Sequence, residues 1–411
     1  RVTMNSNEFL KLAKSAIYYS LVWYALITKL IPNQKGQTMR KLVTIRTISN
    51  ILPIEGADLI ALGVVDGWSV IIKKSEFKIG DPCVFFEIDS FLPMEPRYEF
   101  LKKTTKFNGT EGYRIRTLKM KKVLSQGLAL PLSMFPELGL DTQEAIDNNT
   151  DLSETLGVIK YDLEQFCGVN NTCKSEKPGK FPSFIPKTDQ PRIQNLPHLF
   201  TTNKEDTFEE TLKLDGSSMT CYKVSSSPTL LQKFLALFGI KAPTTKFGVC
   251  SRNVDLKRTA NTVMTFNNEG KESVYDQSDF WATAIKLDLA NRVPVGYAIQ
   301  GELIGPKIQA NHEKVTELQY YVFDVFNISE QCYLLPQERR DFCHTLGIPH
   351  VPVMNVEATP LQLTLDQLLQ HVDTESVNPK TVSEGRVYKS NTNPLLSFKV
   401  INNRYLLKHE A

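Results

Sequence analysis

Between Arg40 and Leu132 apolar and polar positions alternate in short runs. Leu42-Val43-Thr44-Ile45 alternates, Val64-Val65-Asp66-Gly67-Trp68-Ser69-Val70 places Asp-Gly between two β-rich arms, and Val84-Phe85-Phe86-Glu87-Ile88 follows the turn signal Ile79-Gly80-Asp81-Pro82. From Tyr113 to Lys121 basic residues alternate with apolar ones, and the phase slips at Thr117, as a β-bulge within one strand would make it do. Several short strands, few helical periods and one basic strand predict a small antiparallel barrel, most economically of the OB type.

After Pro136 the pattern changes. Glu137 to Leu156 is acidic and weak in β signal, and Ser175 to Lys180 is polar with Pro and Gly, which predicts a linker. Phe181 to Asp189 is apolar enough to pack on the domain that follows and to deliver Arg192-Ile193-Gln194-Asn195 towards its cleft. From about Gln190 onward, strand and helix signals alternate. Thr229 to Ile240 repeats apolar residues at three and four and predicts an amphipathic helix, with further helices over Phe280 to Leu289 and Leu361 to His371. Val295 to Ile304, Tyr320 to Phe326 and Leu395 to Ile401 read as strands. The whole is an α+β pattern with a largely antiparallel central sheet. The divisions are residues 1–38 as an extension, 39–135 as the barrel, 136–189 as a linker packing on the second domain, and 190–411 as that domain.

Composition changes this picture only at the margins. The 411 residues carry 48 Lys plus Arg against 45 Asp plus Glu, so any surface for nucleic acid must be a local patch. Lys73, Lys74, Arg114, Arg116, Lys119, Lys121 and Lys122 are the candidates for a sequence-blind groove along a nucleic-acid backbone. Lysines that guard solvated edge strands give the same pattern. The seven cysteines are scattered, without metal-ligand spacing, which points to reduced thiols and an intracellular protein, cytoplasmic or nuclear. Neither dinucleotide nor triphosphate glycine loops are present, nor a paired-histidine zinc motif. Ala16 to Thr28 is apolar but too short to span a bilayer comfortably, so no membrane partner is expected.

The candidate chemistry lies in Thr211-Leu212-Lys213-Leu214-Asp215-Gly216-Ser217-Ser218. Lys213 and Asp215 project from one face where a strand-like run ends at an Asp-Gly turn. A lysine whose charge is disfavoured becomes a nucleophile towards phosphorus or carbonyl carbon, Asp215 could hold a metal or its water shell, and Gly216 would let backbone approach a nucleotide. An exposed Lys/Asp pair at a hairpin is the plainer alternative.

Five further stretches follow in order: Ser251-Arg252-Asn253, Gln300-Gly301-Glu302-Leu303-Ile304-Gly305, Tyr321-Val322-Phe323-Asp324-Val325, Glu384-Gly385-Arg386-Val387-Tyr388 and Ser397-Phe398-Lys399-Val400. With Lys213-Leu214-Asp215-Gly216-Ser217 this series resembles the covalent nucleotidyltransferases. The barrel-first order and the C-terminal Tyr405-Leu406-Leu407-Lys408 resemble most the ATP-dependent RNA ligases with an N-terminal OB module, the fifth RNA ligase family. The resemblance covers nearly everything after Met39 and implies an OB barrel followed by a nucleotidyltransferase domain built on antiparallel sheets with flanking helices.

It also implies roles. Lys213 would take AMP from ATP as a lysyl-AMP phosphoramidate, and AMP would pass to an RNA 5′-phosphate that a 3′-hydroxyl then attacks. Arg252 and Glu302 would contact the nucleotide sugar, Phe323 the base, Lys399 and Arg192 its phosphates, and Asp215 with Glu384 would serve Mg2+ or Mn2+. RNA, or a nicked duplex containing it, would lie on Arg114, Arg116, Lys119 and Lys121, with the protein acting as a monomer without an obligate protein partner. The series departs from the family pattern at Ser397, where a lysine is common and Lys389 or Lys408 could substitute, and at Arg386, placed beside Val387 as if facing outward. A DNA ligase or a capping guanylyltransferase shares the lysine chemistry but usually places its OB domain after the motifs. A non-catalytic RNA-binding protein would not need Lys213, Asp215, Glu302 and Glu384 together.

Overall fold

The Asp66-Gly67 turn forms as its sequence demands: Val65 pairs with Trp68, and both turn residues have positive φ, 45° and 80°. It joins two strands of a five-stranded sheet ordered Leu128–Pro131, Pro82–Phe86, Val43–Pro53, Ile60–Val65, Trp68–Lys73. A four-stranded sheet, ordered Ile159–Lys160, Ser90–Pro93, Thr110–Arg114, Thr105–Phe107, and a separate hairpin of Thr117–Met120 with Val123–Gln126 complete the OB-type module. The computed structural model describes residues 40–139, 141–161, 179–226, 244–258, 263–266, 272–275 and 278–409. Residues 42–411 form one compact unit. The extension 1–38 and the helix expected over Thr229 to Ile240 lie outside the described residues.

Two expectations for this half need correction. The phase slip at Thr117 is a strand break and not a bulge, because Thr110–Arg114 and Thr117–Met120 belong to different sheets. The stretch after Pro136 does not pack as a linker on the second domain up to Tyr161. Its helix Thr142–Asp147 is capped by Asp141, which accepts from the Glu144 N–H at 2.9 Å. Ala145, Leu152, Leu156 and Val158 are then buried against Val43, Val84, Phe86 and Leu92 of the barrel. Four well-spaced apolar residues were enough to override the acidic composition.

Phe181 to Asp189 does pack on the second domain. Ile185 is buried with Tyr222, Cys250, Ala298 and Phe326, and Gln300 donates to the Pro186 carbonyl at 2.8 Å. That domain holds a seven-stranded sheet ordered Gly179–Lys180, Val254–Leu256, Thr245–Cys250, Ser217–Ser225, Tyr297–Ile304, Gln319–Asn327, Cys332–Tyr333. Beside it is a four-stranded sheet ordered Val353–Ala358, Phe208–Lys213, Gly385–Ser390, Ser397–Ile401. Every ladder between these strands is antiparallel. The helices Asp279–Lys286 and Pro336–Leu346 flank the larger sheet, where Trp281 and Cys343 join a core with Ile299, Leu303 and Tyr320.

The barrel and the second domain are joined by both apolar and polar contacts. Leu124 of the hairpin shares a buried cluster with Val382, Ile401, Tyr405 and Leu406. Asn195 accepts from the Trp68 indole at 3.3 Å and from Arg46 at 3.2 Å, while Arg46 also pairs with buried Glu87 at 3.0 Å. No helix among the described residues is long and apolar enough to cross a membrane.

Candidate active site

The chain leaves the smaller sheet at Lys213 and enters the larger one at Ser217, so Leu214-Asp215-Gly216 is the crossing between them. Lys213 pairs with Gly385 in the register, which brings its amine beside the residue just before that glycine. Lys213 Nζ lies 2.7 Å from Glu384 Oε2, with the lysine side chain 25% and the glutamate side chain 15% exposed. Ser218 pairs with Glu302 on the larger sheet, so the second glutamate comes from the opposite wall. Gly216 is needed for this closure: a β-carbon there would lie 2.3 Å from the Leu303 carbonyl oxygen and 3.1 Å from Glu302 Cγ. The close approach that requires glycine is therefore to the neighbouring strand.

Burial pulls the Lys213 amine towards neutrality, but Glu384, Glu302 and Asp215 outweigh it and hold its pKa above the ordinary lysine value. Left to these residues the amine is an ammonium. Burial, with the charges of Glu384 and Asp215 against the pull of Lys213, raises Glu302 to about 8. Asp215 accepts from the Tyr405 phenol at 2.9 Å. Among the described residues no three His, Cys, Asp or Glu side chains group closely enough to cage a metal. Carboxylates that share one amine without forming a closed cage suit a hard divalent cation that keeps waters and takes its remaining oxygens from a bound phosphate.

Beside the amine is a basin of cations around one carboxylate. Asp189 lies 3.1 Å from Lys399, 3.4 Å from Lys160 and 3.9 Å from Arg252. Burial works against the charged form of Asp189, but Lys399, Lys160 and Arg252 hold it well below the usual carboxylate range. Lys399 is pushed down to about 8, chiefly by burial and against the pull of Asp189. Arg192 bridges the Lys399 strand through its backbone, and its guanidinium sits over the Trp68 ring at 5.4 Å. Arg252 thus faces Asp189, while Asp255 is engaged by Tyr222 at 2.9 Å and Lys246 at 3.5 Å.

Phe323 is half-buried and packs with Leu212, Leu214, Ile304 and Val351 beside the Lys213 strand. Lys389 lies 5.8 Å from its ring, donates to the Phe323 carbonyl at 3.0 Å and pairs with buried Asp324. Lys389 is thus committed to the Phe323 strand. Lys408 is exposed on the last helix. Arg386 does not face outward. It is buried, pairs with Glu210 at 3.2 Å and donates to Ser383, Gly385 and Thr374, because the cross-strand neighbour supplies a buried anion that needs it.

In the barrel, Arg114 is withdrawn from the basic surface. It pairs with Asp89 at 2.7 Å and lies 4.3 Å over the Tyr161 ring. Arg116, Lys119 and Lys121 are exposed, with Lys121 donating to the Gly56 carbonyl. Sequence reasoning missed Asp189, Lys160 and the role of Tyr405. Only the aspartate ending the apolar run Phe181 to Asp189 offered a local signal.

Comparisons place this geometry among known proteins. A family model described as RNA ligase matches residues 206–401, and one described as an OB-fold domain matches residues 42–132. A mutant of Naegleria gruberi RNA ligase solved with ATP and Mn is 36% identical, covering 90% of this chain and 99% of that one with a TM-score of 0.72. The same enzyme with PPi is 37% identical over 90% and 99%, TM-score 0.70, and another mutant with AMP and Mn is 36% identical over 90% and 99%, TM-score 0.71. No curated protein sequence matches.

Proposed function

This chain belongs to the RNA ligase family, and from that membership we propose how its own residues seal RNA. It is an ATP-dependent RNA ligase working through a lysyl-AMP intermediate. The amine of Lys213 attacks the α-phosphorus of ATP, forming a nitrogen–phosphorus bond as the bond to pyrophosphate breaks. Asp215 and Glu384, with Glu302 close by, would hold a divalent cation, whose charge would lower the pKa of the amine and screen the phosphate oxygens. Lys399 and Arg192 take up negative charge on the phosphates. Arg252 and Glu302 orient the sugar, Glu302 as a hydrogen-bonding carboxyl, and Phe323 supports the base from a position that Lys389 and Asp324 fix.

AMP then moves from Lys213 to the 5′-phosphate of RNA, and attack by a 3′-hydroxyl releases it as the phosphodiester forms. Arg116 and Lys119 contact the RNA backbone, while Lys121 is held by the Gly56 carbonyl, and a nicked duplex is the substrate that a barrel fixed beside the site suits best. The free thiols of Cys83, Cys221, Cys250, Cys332 and Cys343 support work inside the cell, and we take the protein to act as a monomer. The barrel's position ahead of the nucleotidyltransferase domain favours RNA ligation over DNA ligation or guanylyl transfer.

The observation that carries this reading is the Lys213 amine, 2.7 Å from Glu384 and flanked by Glu302 and Asp215. Incubation with radiolabelled ATP or GTP and magnesium tests it. An adduct formed from ATP, absent from Lys213→Ala, is expected; a GTP adduct, or an adduct that survives the substitution, overturns it.

A further inference from the structure

We propose that the Thr117–Gln126 hairpin is a discrete docking element for the RNA duplex flanking the break, with Leu118 and Met120 meeting sugar and base edges while Arg116, Lys119 and Lys122 meet phosphates. The inference rests on the RNA ligase reading and goes beyond it by moving the nucleic-acid contact from a groove on the barrel to one hairpin.

The groove candidates are largely engaged elsewhere. Arg114 is paired with Asp89, Lys73 with Glu76 at 2.6 Å, and Lys74 donates to the Ala57 carbonyl at 3.0 Å. The hairpin is different. From Gly112 to Pro136 the chain has no Asp or Glu and five cations. Arg116, Lys119 and Lys122 are exposed and form no ion pair among the described residues. Leu118 and Met120, two apart on one strand and therefore on one face, are 46% and 43% exposed, with Lys119 between them on the opposite face and also exposed. A lysine-rich surface is a poor protein interface, whereas cations around exposed aliphatic wedges suit a nucleic-acid backbone and its groove edge.

The turn adds an independent observation. Met120 pairs with Val123, leaving the two-residue loop Lys121-Lys122 with φ of 47° and 68°. Such a turn favours Asn-Gly, so two lysines there run against local preference. The side chain of Lys121 is tied to the Gly56 carbonyl, which leaves Lys122 projecting at the tip.

The root of the hairpin points the same way. Leu124 packs with Val382 and Ile401, two residues before Glu384 and two after Lys399, and with Tyr405, which holds Asp215. The root of the hairpin is thus packed on the strands and helix that carry the candidate site residues.

Sealing of a nicked RNA duplex with 3′-hydroxyl and 5′-phosphate termini, measured against salt, tests the proposal beside adduct formation with labelled ATP. Leu118→Ser/Met120→Ser and Lys119→Ala/Lys122→Ala are expected to raise the KM for the nick about tenfold, the second pair also flattening the log–log salt slope by about 2, near 1 per lysine. Adduct formation, which involves no RNA, stays within about twofold. Lys122→Gly separates binding from folding: glycine suits the positive φ, so Tm rises while nick affinity falls. An unchanged KM and salt slope in variants of a wild type that seals overturns the proposal, including in favour of a protein partner for the hairpin. A wild type that forms no adduct overturns the ligase reading instead.

Discussion

The phenol of Tyr405 donates to Asp215 Oδ2 at 2.9 Å across 190 residues of chain. Through this bond the helix Asn403–His409 holds the carboxylate two residues after Lys213. The Tyr405 ring is itself fixed by His312 at 5.1 Å and by His409, stacked at 4.9 Å.

Tyr405→Phe keeps the ring packing and removes only the donor. On the proposal that Asp215 would hold the cation, a donor behind it acts mainly on metal affinity, so the magnesium concentration for half-maximal adduct formation is expected to rise about tenfold. At saturating magnesium the rate returns towards wild type. A fall in rate that excess metal does not restore would assign Tyr405 another task.

Lys399 carries a pH signature. Its pKa, lowered to about 8 by burial, means that the cation is present below pH 8 and lost as pH rises through that value. The KM for ATP is therefore expected to climb on the alkaline side. Lys399→Arg, whose guanidinium stays charged, removes that alkaline rise whatever its effect at neutral pH. The measurement is KM for adduct formation between about pH 7 and 9.5.

Behind Phe323, the buried Lys389–Asp324 pair is a structural commitment. Lys389→Met leaves Asp324 with only Arg339, 3.8 Å away, as an ion-pair partner among the described residues, and is expected to cost about 3 to 5 kcal/mol in denaturant unfolding. Adding Asp324→Asn recovers about 1 to 3 kcal/mol of that loss, as coupled neighbours do.

Gly216→Ala would drive a β-carbon against the Leu303 carbonyl, which is backbone and cannot swing aside. A stability loss of about 1 to 3 kcal/mol is expected, with a larger drop in adduct formation because Glu302 is displaced too. Unfolding and adduct assays on one preparation check both.

The family was legible from the ordered short runs between Lys213 and Lys399, because each run is local in the chain. The Asp66-Gly67 hairpin was legible because its turn residues are local. Asp189, Arg386 and Tyr405 were not, since their roles depend on partners brought close only by folding. Asp189 meets Lys399, Arg386 meets Glu210, and Tyr405 meets Asp215 across 210, 176 and 190 residues respectively. Arg114 was misjudged for the same reason, because nothing near it in sequence announces Asp89 or Tyr161.

The joint at Asn195, with Trp68 and Arg46 on one side and Leu124 seated among Val382, Ile401 and Leu406 nearby, leaves little for a hinge to do. An enzyme built this way meets its RNA as a preset vice, and raising solvent viscosity should slow substrate encounter without slowing a jaw-closing step.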